Sequence, residues 1–276
     1  MNKVGERPGV WINGICHVNG IDIHYRRTGG GKPPLLVLHG LIASGACLLP
    51  LVHGLEDRFD VILPDARGHG NSSAPETGYS YGDLAADVAG LIRELKLEAP
   101  ILAGHSMGGM TAAVAASELG VAARALILID PTFISPAWQR EVYESDVAAD
   151  HRRSLQSTRN ELLDQARLKN ASRSAELIEH LVDARLHTSL SAFEILTPPN
   201  PDWRELVRNI PVPTLLLIGD GGVVSLDTAR ELHGLNPLLQ YELIADAGHG
   251  MPYDKPAQVS GVMRAFLEQA IMAGEA

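Results

Sequence analysis

Several things this chain has little of narrow its class before any motif is read. Only two cysteines occur among 276 residues, Cys16 and Cys47, too few for a disulfide framework and without the C-x-x-C spacing of a metal site. Positive charge is in deficit: 23 Lys and Arg stand against 33 Asp and Glu, a net charge of −10. That balance argues against a nucleic-acid surface and favours small-molecule chemistry. No apolar run approaches the roughly 20 residues that cross a bilayer. The opening MNKVGERPGVWING lacks the apolar core of a signal peptide. Repeats, low-complexity tracts and long Gly/Ser linkers are missing as well. The expectation is a cytoplasmic protein in a reducing compartment, with neither membrane nor nucleic-acid partner and an unassigned oligomeric state.

What is present is organised around PILAGHSMGG, residues 100–109, followed by TAAVAASELG. An apolar run, Gly104-His105-Ser106-Met107-Gly108 and a small-residue helical segment make the G-x-S-x-G pattern in the context it needs. There a strand turns sharply into a helix and lifts a serine above the sheet edge. Only glycine fits beside a turn so tight, so Gly104 and Gly108 are placed by geometry. Ser106 is the candidate nucleophile.

Around that stretch the chain reads as alternating strands and helices. Residues 16–25 form a hairpin about Asn19-Gly20, a pair suited to a tight primed turn. Residues 35–38, 61–63 and 125–129 are too uniformly apolar for half-exposed strands and read as buried parallel ones. Residues 47–55 and 81–95 read as helices. Further strands are expected at 214–218 and 239–244, a helix at 226–232, an amphipathic closing helix at 257–270, and loops at 219–222 and 246–250. The order predicts a doubly wound sheet whose ligands sit beyond the carboxyl ends of its strands, where Asp65, Ser106 and Asp130 all fall.

Residues 132–209 change character, with many Arg, Glu, Leu and Ala at helical spacing. They read as a helical lid inserted into a core formed by residues 1–131 and 210–276. Most lid arginines are expected on solvated helix faces paired with Glu and Asp. For a substrate bearing a carboxylate, Arg152 and Arg153 are the first candidates to bind it. Asp65, Arg67 and His69 read as structural groups of a Gly-rich turn. His17, His24, His53, His180, His187 and His233 have no motif around them.

HG at His39, DARGHGNS from Asp65, GHSMGG around Ser106 and AGHG at His249 resemble, in order and spacing, the pattern of the α/β-hydrolase fold superfamily. The resemblance runs from about Val18 to the last helix. It implies an α/β fold with a helical lid after the sixth strand and a Ser, acid, His set with Ser106 and His249. The oxyanion hole would be the amides of Leu41 and Met107, and no metal or organic cofactor would be needed. The acid is less direct. Many members carry it after the seventh strand, where this chain has Gly222, with Asp220 two residues early. A branch that includes hydrolases of succinate derivatives, lactone hydrolases and cofactor-free dioxygenases carries it after the sixth strand, where this chain has Asp130. Asp130 is the expected acid and Asp220 its rival. The expected activity is hydrolysis of a small-molecule ester, lactone or activated amide. The alternatives are a cofactor-free dioxygenase and a binding protein that keeps the triad.

Overall fold

The computed structural model describes residues 11–274; the first ten residues of the expected core, and most of the stretch tested for a signal peptide, lie outside them. Eight strands form one sheet: β1 Ile12–Val18, β2 Ile21–Arg27, β3 Pro34–Leu38, β4 Asp60–Pro64, β5 Ile101–His105, β6 Ala125–Ile129, β7 Thr214–Gly221 and β8 Leu239–Gly248. Their spatial order is β1-β2-β4-β3-β5-β6-β7-β8. β1 and β2 pair antiparallel, β2 pairs antiparallel with β4, and every other neighbour is parallel. The hairpin turns through Asn19 and Gly20, both at positive φ, the backbone that lets strand twist continue through a two-residue loop.

The uniformly apolar strands have a two-sided explanation. Leu36, Leu38, Leu102, Leu126, Leu128, Leu216 and Ile218 belong to one buried cluster, and their alternates Leu35, Val37, Ile101, Ala103, Ile127, Leu215 and Leu217 to another. Side chains alternate with period two, so a strand covered on both faces needs an apolar residue at every position. The first cluster is roofed by α2 Tyr81–Glu94, α3 Met107–Ser117, α8 Trp203–Asn209 and α9 Leu226–Leu235. The second is covered by α1 Leu49–Val52, α10 Met251–Asp254 and α11 Pro256–Gly274.

Between β6 and β7 run α4 Pro136–Glu144, α5 Val147–Ser154, α6 Arg159–Lys169, α7 Ala175–Leu186, a 3₁₀ segment Leu190–Leu196 and α8. α6 and α7 bury their own small core of Leu162, Leu163, Ile178 and Val182. Their starts are written in the sequence, since Thr158 and Glu161 form a reciprocal capping box and Ser174 caps α7.

Two expectations are corrected. The helix expected over 47–55 is a 3₁₀ turn, Gly45–Leu48, followed by the single turn α1. The loops expected at 219–222 and 246–250 begin as strand, because β7 and β8 continue pairing through an irregularity between Gly219 and Gly221. Asp220 spans that irregularity by accepting the amides of Asp246 and Ala247, both at 2.9 Å. A side chain standing in for a ladder bond leaves no periodic trace in sequence. Among the described residues no helix is long and apolar enough to cross a membrane.

Candidate active site

The strand order reverses between β3 and β5. From β3 the chain winds outward through β4, and from β5 it winds the other way through β6, β7 and β8. Such a switch point opens a crevice at the carboxyl ends, because the two connections leave on opposite sides. Leu41 follows β3 and Ser106 follows β5, so both candidates stand at that crevice.

Ser106 has φ 54° and ψ −119°, a conformation sparsely populated by residues with a Cβ and held only when the surroundings over-determine it. The surroundings do so. Its amide donates to Ile129 O at 3.1 Å and its carbonyl accepts from Gly109 and Met110. The strand and helix on either side approach so closely that a Cβ on Gly104 would stand 2.2 Å from Gly108 O, and one on Gly108 would stand 2.4 Å from Leu38 O.

The Ser106 hydroxyl donates to His249 Nε2 at 2.9 Å, and His249 Nδ1–H donates to Asp130 Oδ2 at 2.6 Å. These roles follow from the network, since a carboxylate can only accept. Asp130 is fully buried and has φ 40°. Its carboxylate also accepts the amide of Val223 on both oxygens and that of Val224 at 2.9 Å. Donors on both oxygens fix the direction of the buried carboxylate. The amides it caps come from the loop after β7, rather than from its own turn at Pro131.

Gly222 completes the arrangement. A Cβ there would lie 2.8 Å from Asp130 Oδ1, so the position that lacks an aspartate also lacks a side chain, and Asp130 occupies the space. Asp220 is exposed, with its pKa held low by the amides of Asp246 and Ala247. The structure brings Asp130, not Asp220, to His249.

Leu41 lies in the loop that passes Ser106: a Cβ on the preceding Gly40 would stand 3.2 Å from Ser106 Cβ. Met107 is the first residue of α3, where amides have no acceptor within the helix. His39 ties the loop down, donating from Nδ1 to Gly40 O at 2.8 Å and accepting the Ala66 amide on Nε2 at 2.9 Å. Burial lowers its pKa, which keeps Nε2 free to accept. His105 donates from Nε2 to the carbonyl of His249 at 2.8 Å, and burial, helped by His249, pushes its pKa down to about 3. Both histidines position the site, and only their places in the HG and GHSMG motifs hinted at it.

The turn residues are structural. Asp65 accepts from His24 Nδ1, Gly45 N and Asn71 N, Arg67 grips Asp87 with two bonds of 2.6 Å, and His69 is buried with its pKa lowered to about 3.

A cavity of about 100 Å³ opens on Ser106 and His249, with Tyr81, Thr132, Trp138 and Gln139 in its wall. Thr132 Oγ1 is buried there without a hydrogen-bond partner among the described residues, and burial raises the Tyr81 phenol to about 12. The sequence carried no signal for these groups. Arg152 and Arg153 do not line this cavity. α5 turns His151 into the core and leaves its two neighbours exposed, with Arg153 paired to Asp150. Among the described residues, no group of three or more His, Cys, Asp or Glu side chains could hold a metal ion.

Residues 33–256 match the family model described as alpha/beta hydrolase fold. The chain is 42% identical over 122 residues, 44% of each chain, to 2-(acetamidomethylene)succinate hydrolase of Mesorhizobium japonicum. It is 30% identical over 260 residues, 92% of its length and 94% of the relative's, to N-formylmaleamate deformylase of Pseudomonas putida. The crystal structure of E-2-(acetamidomethylene)succinate hydrolase superimposes with a TM-score of 0.80 at 25% identity, covering 94% of this chain and 100% of that one.

Proposed function

Because the chain belongs to the α/β-hydrolase fold family and is a hydrolase of that family, we propose that it cleaves a carboxylic ester, lactone or activated amide of a small molecule through an acyl-enzyme on Ser106. The observation that carries this reading is the unbroken chain from Ser106 Oγ to His249 Nε2 and from His249 Nδ1 to Asp130. A serine hydroxyl is a weak nucleophile until a neutral imidazole takes its proton as it attacks. In the proposed reaction Ser106 Oγ bonds to the carbonyl carbon while its proton passes to His249, and Asp130 stabilises the imidazolium. The carbonyl oxygen becomes an oxyanion that accepts from the amides of Leu41 and Met107. Its collapse expels the alcohol or amine, which leaves with the proton from His249. Water, deprotonated by His249, then releases the acid and restores Ser106. The reaction needs no cofactor.

A cavity of about 100 Å³ at Ser106 suits a small acyl group. Activated amides stay among the substrates because two relatives are named for 2-(acetamidomethylene)succinate and N-formylmaleamate, both amides by name. The test uses 4-nitrophenyl acetate with mass spectrometry of the quenched enzyme. Wild type should carry a transient acetyl group on Ser106, and Ser106→Ala should fold normally and lose at least about a thousandfold in kcat. Hydrolysis at the full rate by Ser106→Ala would overturn the reading.

A further inference from the structure

The lid contains a second cavity, about 610 Å³, which shares no lining residue with the one at Ser106. Its wall carries Arg153, Lys169, Arg173 and Arg185 against one carboxylate, Asp150. Such an excess of cations stands out in a chain of net charge −10. Two of the four are already engaged: Arg153 pairs with Asp150, and Arg173 pairs with Asp254 at 2.7 Å while lying over the Tyr253 ring.

Arg185 is different. It is half-buried on α7, and its one side-chain hydrogen bond among the described residues is a long one, 3.5 Å, to Ser154 Oγ. No carboxylate among the described residues pairs with it, and burial holds its pKa below the ordinary value with nothing to raise it. A guanidinium withdrawn from water without a counter-charge is costly, and its planar fork of donors matches a carboxylate. The cavity also borders both loops of the candidate active site. Ile42, in its wall, follows Leu41, and Arg173 Nη2 lies 3.1 Å from where a Cβ on Gly250, next to His249, would stand.

We propose that this lid cavity binds the free carboxylate of a small organic acid, with Arg185 as the bidentate partner and Lys169 as a second cation. The substrate would then be an ester, lactone or amide that keeps a carboxylate, an assignment of class that rests on the hydrolase reading for the bond cleaved. The arginine is thus on α7, not on α5 where Arg152 and Arg153 lie.

Binding is measured first without turnover, by calorimetry on full-length Ser106→Ala protein titrated with succinate. Saturable binding is expected, weakened about tenfold or more by Arg185→Gln, as befits a hydrogen bond between charged groups. Arg185→Lys, which keeps the charge and loses the fork, should fall between, and neutral succinamide should not bind. Arg230→Gln is the control, because Arg230 is exposed and paired with Asp227. Thermal melts establish that each variant is folded. Kinetically, in the Ser106 enzyme, the ratio of kcat/KM for 4-nitrophenyl hydrogen succinate over 4-nitrophenyl acetate should drop about tenfold in Arg185→Gln. Succinate binding untouched by both Arg185 substitutions, or succinamide binding as tightly as succinate, would overturn the site. If wild type cleaves neither ester while succinate binding still depends on Arg185, the hydrolase reading fails and the carboxylate site stands.

Discussion

Replacing Asp130 by Asn tests the site at the atom where the two rival acids differ. In the native arrangement Oδ1 accepts from Val223 and Val224, and Oδ2 accepts from Val223 and from His249 Nδ1. An asparagine has one acceptor and one donor to offer these positions. With its oxygen toward Val224, its NH₂ faces His249 Nδ1 and forces the imidazole into the tautomer that protonates Nε2. That tautomer cannot accept the Ser106 proton. With the amide flipped, the NH₂ opposes the buried Val224 N–H, which costs about 1–3 kcal/mol for an unsatisfied donor. The first orientation should win, so the fold survives with a loss of a few degrees in Tm while kcat falls by about 10⁴, the size of effect that follows when a triad acid is neutralised. Asp220→Asn keeps an oxygen for one of the two amides that the exposed Asp220 side chain accepts and should change kcat by no more than about twofold, as a change at a surface side chain costs little. The assay is steady-state hydrolysis of 4-nitrophenyl acetate with melting curves for each variant. A crippled Asp220→Asn beside an active, folded Asp130→Asn would refute the reasoning and move the acid to Asp220.

Two further predictions use the same region and the buried histidines. Gly222→Ala puts a methyl 2.8 Å from Asp130 Oδ1, so the carboxylate must shift; kcat should fall about 10–100-fold, the scale on which a misplacement of about 1 Å acts, with the melting temperature lowered only modestly, and an unchanged kcat would show that the fit is loose. His69 and His105 have folded pKa values of about 3, below the ~6.5 of an unfolded histidine. The unfolded chain therefore binds protons that the folded one refuses as pH falls, and stability present above pH ~6.5 is lost between there and about pH 3, by about 1.4 kcal/mol per pH unit for each group. Melts at pH 7.0 and 5.5 should show that decline, less steep in His69→Asn, and a flat profile would mean that the two rings are protonated in the folded state.

The elements closest to Ser106 were legible because each carries its own signature. The elbow, the apolar strands at 35–38 and 125–129 and the Asn19-Gly20 turn rest on local rules of steric fit and periodicity. The continuation of β7 and β8 through Asp220 was not legible, since a side-chain acceptor bridging two strands depends on a partner 26 residues away. Nor were Tyr81, Thr132 and Gln139 visible as cavity residues, because each looks like an ordinary helix or turn residue until the lid folds over it.

Spacing along the chain carried the doubly wound α/β pattern, the serine at the tight turn and the histidine past the last strand, while the α/β-hydrolase fold and the short list of acids came from the resemblance of the motifs to that family. Tertiary structure decided which acid stands at His249 and which arginine lacks a partner. Asp130 and His249 are 119 residues apart, and Ser106 and His249 143. Their meeting depends on where the loops after β6, β7 and β8 converge, and on the space left by Gly222 beside the carboxylate. Arg185 and Arg153 are equally charged in the sequence, but α7 draws one half out of water while α5 leaves the other beside Asp150. Burial and counter-charge belong to the packed molecule, so local pattern could not separate them.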